Sequence, residues 1–368
     1  MTRGKTLALR TVALYISGHG YGHATRVLEV ARTLARHRPD VRFHVRSTVP
    51  EWLVRLNLGE RATFKRVEID VGVRQENSYF PDKLATLEAF AKLWKNRSQL
   101  IQREVRELGR QAVELILADL PPMAFEISEV AQIPGLAMGN FSWDWIYEPY
   151  VQEYPQYRWV VPAIREAYQK AERLFRLPMH GDMRAFRSIC DIPLVARHAE
   201  LSVGEVRARL GLEASAKPML LVALRAEDLA DVDWSALHSL PNEYEIVAFS
   251  KIPLPGAHIL PPDFMRFQEL VHAAEIVVSK PGYGIVSECI ANDTALLYVE
   301  RHGFREYDVL VAALEEYGWA KMLTVEQFRR GDWLAALQRL SQKRQQPHRY
   351  FDTSGANVLA EALQEYLG

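Results

Sequence analysis

A strand, a glycine-rich turn, a helix and a second strand follow one another between residues 11 and 47. The segment TVALYIS has the apolar character of a buried strand, and VRFHVRS alternates apolar and polar residues with the period of a strand. Between them, beyond GHGYGH, apolar residues recur at helical spacing. Because a helical crossover makes the two strands it joins parallel, this stretch predicts an α/β fold on a parallel sheet.

A second series of the same kind begins at residue 217. KPMLLVAL, YEIVAFS, EIVVS and TALLYVE are predicted strands with helical segments between them. A chain of 368 residues is also longer than one ordinary hydrophobic core supports. We therefore predict two Rossmann-like domains, residues 1–187 and 188–348, followed by a short amphipathic helix within 349–368.

The charge balance and the short apolar runs argue against several classes of protein. A net charge of -1 at pH 7 argues against a general nucleic-acid binder, whose affinity depends on neutralising phosphates. The first apolar run, VALYI, is too short for the core of a signal peptide or for a membrane span. Cys190 and Cys289 lie far apart without metal or redox spacing. We therefore expect a cytoplasmic protein with reduced thiols and no membrane span.

The turn after the first strand combines glycines with two histidines. Gly18, Gly20 and Gly22 alternate with other residues, which differs from the spacing of the dinucleotide-binding fingerprint. Ligands of open parallel sheets bind beyond the carboxyl ends of strands, and the helix that follows offers unpaired N–H groups. His19 and His23 add imidazoles that transfer protons near neutral pH. A tight turn without any ligand remains the alternative.

The segment VVSKPGYGIVSE repeats the order of strand, glycine turn and helix. Backbone N–H groups at the start of that helix are suited to a phosphate, and Glu288 would offer two oxygens to a ribose diol. A solvated glutamate on a helix is the other interpretation of Glu288. The predicted phosphate site consists of Gly282, Tyr283, Gly284 and Ile285.

Three further stretches carry candidate chemistry. Asp119 ends a predicted strand and is either a helix cap or a site residue. The aromatic residues of NFSWDWIYEPY surround Asp144, and they either line a sugar cleft or pack in the core. DVD at residues 231–233 has the spacing of some manganese sites, but no strand leads into it, so we predict a solvated loop and no metal site.

Four blocks of the sequence resemble a known family. SGHGYGHATRVLEVAR, NFSWDWIYEPY, RLPMHGDMRAFRSICDIPLV and KPGYGIVSE are similar, in this order, to the glycosyltransferase-like N-terminal half of the plant L-arabinokinases, within the GT-B glycosyltransferase superfamily. The resemblance implies two Rossmann-like domains facing an interdomain cleft, with the C-terminal helix returning to the first domain. The sugar-kinase half of those proteins is not matched, so kinase activity is not expected.

The resemblance also implies roles for individual residues. Inverting GT-B enzymes that use UDP-sugars carry a histidine base in the first turn and an aspartate that orients it, and the matching residues are His23 and Asp119. KPGYGIVSE resembles the donor motif of the lipid-II N-acetylglucosaminyltransferase, which implies diphosphate binding by the turn and ribose binding by Glu288. We expect removal of Glu288 to leave fold stability nearly unchanged. In ERHGFREYD, Glu306 is the predicted contact to the donor sugar.

These implications together predict a metal-independent, inverting glycosyltransferase without a cofactor. Its donor would be a nucleotide diphosphate sugar, UDP-linked, and its acceptor an unidentified hydroxyl compound. Arg225 stands where the related domain has a Gly-Gly turn, and it would either contact a phosphate or block one. His19 and Gly22 are additional candidate site residues. A hydrolase or epimerase on the same scaffold, or a nucleotide-sugar sensor without catalysis, remain alternatives.

Overall fold

The computed structural model describes residues 9–75 and 80–368, which form two compact units. The first unit comprises the described residues up to Arg74, Asp82–Val195 and Thr353–Gly368. The second comprises Ala196–Asp352 and the described part of Gln75–Pro81. The first unit continues past the predicted boundary after residue 187, because the strand Ile189–Asp191 still pairs with its sheet.

The first unit is built on a seven-stranded sheet in which every pair of neighbouring strands is parallel. Its strands are β1 (Arg10–Ile16), β2 (Val41–Ser47), β3 (Ala62–Arg66), β4 (Leu115–Asp119), β5 (Gly135–Gly139), β6 (Arg173–Arg176) and β7 (Ile189–Asp191). In the order β3-β2-β1-β4-β5-β6-β7, successive strands are added on one side of β1 up to β3 and on its other side from β4 onward, so the switch point lies between β1 and β4. Open α/β sheets bind ligands at such a switch point, beyond the carboxyl ends of the strands.

Helices connect these strands, as the parallel arrangement requires. They are α1 (Tyr21–His37), α2 (Glu51–Leu58), α3 (Lys83–Lys95), α4 (Arg97–Arg110), α5 (Pro122–Ala131), α6 (Trp143–Glu153) and α7 (Val160–Tyr168). Short 3-10 turns lie at Gly59–Arg61 and Pro155–Tyr157. The core lies around β1, whose residues from Val12 to Ile16 are at most 1% exposed. This burial on both faces explains why β1 reads as a continuous apolar run rather than an alternating one.

The second unit repeats this plan on a six-stranded parallel sheet. Its strands are β8 (Met219–Val222), β9 (Glu245–Ala248), β10 (His258–Ile259), β11 (Ile276–Ser279), β12 (Ala295–Val299) and β13 (Ala320–Leu323). Its helices are α8 (Val203–Arg209), α9 (Ala226–Leu229), α10 (Leu240–Glu243), α11 (Phe267–Ala273), α12 (Tyr283–Ala291), α13 (Glu306–Tyr317), α14 (Val325–Arg329) and α15 (Leu334–Lys343), and a 3-10 turn spans Trp234–Leu237. The order β10-β9-β8-β11-β12-β13 places its switch point between β8 and β11.

The C-terminal helix α16 (Gly355–Leu367) belongs to the first unit and packs on α1. Leu359, Leu363 and Leu367 are at most 2% exposed and form its buried stripe. Gly355 begins the helix at a tight approach, since a Cβ there would lie 2.8 Å from the carbonyl carbon of Pro193. The chain thus returns to its first unit after completing the second.

Candidate functional site

His23 and Asp119 meet at the switch point of the first sheet. Asp119 is the last residue of β4 and lies in register with Ile16, the last residue of β1. Gly20, with a φ of 83°, turns the chain from β1 into α1, so that His23 falls in the first turn of the helix. The His23 Nδ1 atom is 2.9 Å from Asp119 Oδ1, and the two side chains are 7% and 0% exposed. The pair that the sequence only suggested is therefore in direct contact.

Arg26 joins this pair and makes it a cluster of three ionisable groups. Its Nη2 donates to Asp119 Oδ1 at 2.7 Å, and its Nε donates to Asp119 Oδ2. The same Nη2 lies 3.1 Å from His23 Nδ1, while Nη1 donates to Asn140 Oδ1 at 2.7 Å. Asn140 in turn donates to the carbonyl of Met179 at 3.2 Å. The guanidinium is thus fixed by partners on both sides.

The charges of this cluster keep Asp119 ionised. Burial alone would raise the pKa of the Asp119 carboxyl, but the positive charge of Arg26, together with His23 and the hydrogen bonds from both, holds it below its ordinary value. An ionised carboxylate can only accept hydrogen bonds. Asp119 therefore favours the imidazole tautomer that carries its proton on Nδ1, which leaves Nε2 with the lone pair.

A second carboxyl, Asp70, lies near the same histidine. Burial raises its pKa, although a hydrogen bond with Ser17, the charge of His23 and contacts with Gly18 and Trp143 act in the opposite direction. Among the described residues, the buried Oδ2 atom of Asp70 has no hydrogen-bond partner. The pKa values of the two carboxyls around His23 are therefore shifted in opposite directions. The shift favours the ionised form of Asp119 and the neutral form of Asp70.

His19 fastens the glycine turn to the chain that follows β3. Its Nδ1 accepts a hydrogen bond from the Val73 backbone N–H at 3.2 Å, and its ring contacts Trp143 edge-on at 5.6 Å. A Cβ at Gly72 would lie 2.6 Å from the His19 Cβ, so the two segments approach closely. Gly22 lies in the first turn of α1, where its carbonyl accepts from the Thr25 hydroxyl at 3.1 Å. The contacts of His19 therefore attach one segment of the chain to another, whereas His23 contacts the carboxylate of Asp119.

Most aromatic residues after β5 pack in the core instead of lining a cleft. Phe141, Trp143, Tyr147 and Tyr150 are each 1% exposed. Asp144 is also buried, and its Oδ2 accepts from Arg165 Nε at 2.9 Å. The core interpretation of this segment holds for these four rings, because they pack against one another, edge-on or tilted or stacked, at centroid distances of 5.0–5.9 Å.

The second unit has its own glycine turn at the switch point between β8 and β11. Gly282 caps α12 in an extended conformation, and Tyr283, Gly284 and Ile285 form the first turn of the helix. Apart from Gly282 itself and its chain neighbours, no described residue has a heavy atom within 4 Å of the position that a Cβ of Gly282 would take, so the backbone there is approachable. The four residues predicted to bind a phosphate therefore present the N-terminal end of one nine-residue helix.

Basic side chains surround this turn. Lys280 follows β11, and its Nζ donates to Asp228 Oδ1 at 2.8 Å. Asp228 Oδ2 accepts from the Arg225 backbone N–H at 3.2 Å, while the Arg225 side chain is 64% exposed. Burial lowers the pKa of the Lys280 amine, and the charges of Arg225 and Arg301 add to this effect against the opposing influence of Asp228. Two arginines and one carboxylate therefore act on Lys280, which lies two residues before the N-cap of α12.

Glu288 differs from its expected setting. It is 2% exposed in the middle of α12, and its Oε1 accepts from Arg197 Nε at 2.6 Å. Asn292 bridges both residues, donating to the carbonyls of Arg197 at 2.9 Å and of Glu288 at 2.8 Å. This buried pair argues against the expectation that Glu288 can be removed without loss of stability, while ribose binding by Glu288 stays a prediction.

The remaining candidates lie at helix ends or on the surface. Glu306 is the first residue of α13 and is 6% exposed, a position in which the helix dipole stabilises a carboxylate. Asp233 Oδ1 accepts from the Ser235 backbone N–H at 3.0 Å and so caps the 3-10 turn at Trp234–Leu237. The side chain of Asp231 is 68% exposed, and its Oδ2 atom lies 3.1 Å from Nη2 of Arg329. Across residues 9–75 and 80–368, no group of three or more histidine, cysteine, aspartate or glutamate residues is arranged to hold a metal ion.

Sequence reasoning missed four residues of these sites. They are Arg26, Asn140, Lys280 and Arg197. Arg26 is three residues after His23, a spacing that places both on one helix face, so this signal was available. Lys280 stands within VVSKPGYGIVSE, so its position beside the predicted phosphate site was also available from the sequence. Arg197 and Asn140 gave no signal, because their partners are 91 and 114 residues away in the sequence.

Comparisons with known proteins bear on the whole chain. No protein-family model matches it. L-arabinokinase of Arabidopsis thaliana is 31% identical over 364 residues, which are 96% of this chain and 34% of that protein. The chain thus spans about a third of the length of this curated relative.

Solved structures resemble the chain over nearly its whole length. CalG4, the calicheamicin glycosyltransferase, is 15% identical, with a TM-score of 0.57 over 98% of both chains. UGT2 of Phytolacca americana, in complex with UDP-2fluoro-glucose and pterostilbene, is 11% identical, with a TM-score of 0.58 over 97% of this chain and 99% of that one. Within the described residues, no helix has the length and apolar character needed to cross a bilayer.

Proposed function

We propose that this chain, which has the GT-B glycosyltransferase fold that its sequence predicts, transfers a sugar from a UDP-linked donor to a hydroxyl group of an acceptor. The observation that carries the proposal is the contact between His23 and the ionised Asp119 at the switch point of the first sheet. A neutral imidazole with a carboxylate on one nitrogen is a general base aligned for proton abstraction. The fold by itself would not establish activity.

In the proposed reaction, His23 Nε2 takes the proton of the acceptor hydroxyl as its oxygen attacks the anomeric carbon of the donor. Asp119 holds the Nδ1 proton and stabilises the imidazolium that forms. The bond between the sugar and the diphosphate breaks, and the nucleoside diphosphate leaves with the bonding electrons. Attack from the side opposite the leaving group inverts the anomeric configuration.

The N-terminus of α12 is the proposed site of the donor diphosphate. Its first N–H groups and the helix dipole attract an anion, and Lys280 and Arg225 add charge from the ends of neighbouring strands. A diphosphate would draw Lys280 away from Asp228 or share it with that carboxylate. Glu288 and Glu306 keep their proposed contacts to ribose and donor sugar, and no cofactor is part of the proposal.

The first test is a thermal-shift panel of UDP, UDP-sugars and other nucleoside diphosphates. A ligand at about 100 times its dissociation constant adds about 2.7 kcal/mol to the free energy of unfolding, so UDP compounds should raise the Tm clearly. Lys280→Met should lose most of this increase, whereas the exposed Asp231→Asn should retain it. The proposal fails if no nucleotide raises the Tm of the parent protein.

Turnover assays on the same panel separate the alternatives. Release of free sugar without an acceptor would indicate a hydrolase, and interconversion of sugars without release of nucleotide would indicate an epimerase. Nucleotide binding with no turnover in the presence of varied hydroxyl acceptors would indicate a sensor. Transfer to an acceptor, with loss of nucleoside diphosphate in equal amount, supports the proposed function.

Chelation of metal ions is expected to leave nucleotide binding intact. The α12 N-terminus, Lys280 and Arg225 supply positive charge to the diphosphate without a divalent cation. Binding of UDP should therefore have the same affinity in EDTA and in manganese, measured by calorimetry. Asp231→Ala should behave like the parent, while Asp233→Ala should lose about 1 kcal/mol of stability as a missing cap. Loss of binding in EDTA that manganese restores would contradict this prediction.

A further inference from the structure

Arg26, His23 and Asp119 form a compact triangle of charged groups. Asp119 Oδ1 accepts from Arg26 Nη2 at 2.7 Å and from His23 Nδ1 at 2.9 Å, and these two nitrogens are 3.1 Å apart. Arg26 is 3% exposed, His23 6% and Asp119 0%. Water therefore screens these charges little, and their mutual distances decide which protonation state is stable.

The guanidinium changes the charge balance of the histidine–aspartate pair. With Arg26 positive and Asp119 negative, a neutral His23 gives a cluster of zero net charge. Protonation of His23 would add a second positive charge 3.1 Å from the first, in a buried position. Without Arg26 the protonated form of His23 would be the more stable one. A neutral imidazole would then leave the buried carboxylate uncompensated, whereas the imidazolium would neutralise it.

We infer that Arg26 is a positioning residue that keeps His23 in its neutral, Nδ1-protonated form, ready to accept a proton on Nε2. The inference rests on the proposed role of His23 as general base and deepens it. Arg26 keeps its proton and cannot accept a hydrogen bond from Nδ1. If it donated to an unprotonated Nδ1, that lone pair would face the carboxylate oxygen of Asp119 2.9 Å away, so we assign the ring proton to Nδ1 and both nitrogens donate to Asp119 Oδ1.

The geometry also explains why an arginine, and not a lysine, suits this place. The fork of Arg26 binds both oxygens of Asp119 while Nη1 reaches Asn140 Oδ1 at 2.7 Å. A lysine has one nitrogen and cannot satisfy the carboxylate and the amide in the same way. Asn140 fixes the plane of the guanidinium from the β5 side, which keeps Nη2 beside the imidazole.

Other charged and titratable groups lie near His23 on the elements around it. Asp119 lies at the end of β4, Asp70 lies after β3, and His19 lies in the same turn. Burial raises the pKa of Asp70 and thereby weakens its ability to compensate a positive His23. Arg26 is a cation within hydrogen-bonding distance of the ring, so its removal is expected to dominate the response.

The experiment measures His23 directly and needs no substrate. The histidine side chains are labelled with nitrogen-15, and ring signals are followed by NMR as the pH is varied, with His23→Gln used to assign the signal. In Arg26→Gln the imidazolium form of His23 should persist to a pH at least about one unit higher than in the parent, the size of shift that one charge within 4–6 Å produces. Arg26→Lys should lie between the two.

A double variant keeps the test valid if the single change impairs folding. Arg26→Gln with Asp119→Asn removes both buried charges, so it should fold and should cancel most of the shift. An unchanged His23 titration in folded Arg26→Gln, or a shift to lower pH, would overturn the inference. A shift of the expected sign in a protein that transfers no sugar would leave this inference standing and refute the proposed function instead.

Discussion

Replacement of His23 by alanine is expected to slow the sugar-transfer step by about 10²–10⁴-fold, the usual contribution of a general base. The affinity for the nucleotide should stay nearly unchanged, because the proposed role of His23 is on the acceptor and His23 lies in the first unit, whereas the proposed diphosphate site lies in the second. Single-turnover rates with saturating donor measure the first quantity, and calorimetry with UDP measures the second.

The control for this change is another histidine of the same helix. His37 lies exposed at the far end of α1, and His37→Ala should transfer sugar at the parent's rate. His19→Ala should have a smaller effect than His23→Ala, since its hydrogen bond with Val73 is a structural attachment. A His23→Ala protein with the parent's Tm and the parent's single-turnover rate would remove His23 from the mechanism.

The second large effect concerns stability. Glu288→Ala is expected to lower the free energy of unfolding by about 3–5 kcal/mol, because it leaves the charge of Arg197 buried without its carboxylate. Urea denaturation in the absence of nucleotide measures this loss without any contribution from ribose binding. The change in stability thus separates the structural role of Glu288 from the proposed binding role.

A paired substitution provides the control for Glu288. Arg197→Met with Glu288→Leu removes both buried charges, so it should cost less than either single change. The two single losses should also add to more than the loss in the double variant. Equal stability of Glu288→Ala and the parent would mean that the pair with Arg197 contributes nothing to the fold.

Much of the first site was predictable from the sequence alone. The change from a continuous apolar run to helical spacing across GHGYGH located the turn between β1 and α1, and the position of Asp119 at the end of an apolar run located the end of β4. The pairing of these two residues was implied by the resemblance to inverting GT-B enzymes, and the sheet accounts for it, because parallel strands end at the same edge. The short-range pattern was sufficient, since strand and helix periods depend on residues only two to four positions apart.

The sequence could not assign an environment to residues whose partners are remote. Glu288 reads as a solvated helix residue until Arg197, 91 residues earlier, is placed against it. The aromatic residues after β5 have the composition of a sugar cleft and of a core alike, and only packing against neighbouring helices and loops shows that most are core. Burial depends on what covers a side chain, and that information is absent from local periodicity.

The charge state of the first site was likewise decided by tertiary structure. The sequence determined by its spacing that His23 and Arg26 share one face of α1, and the resemblance to GT-B enzymes made Asp119 a candidate partner for the histidine. Only the fold brings Arg26 onto both Asp119 and Asn140, which lie on successive strand ends more than 90 residues later. The physical reason is that a helix face is fixed by spacing of three and four residues, whereas the sheet order and register decide which strand ends that face meets.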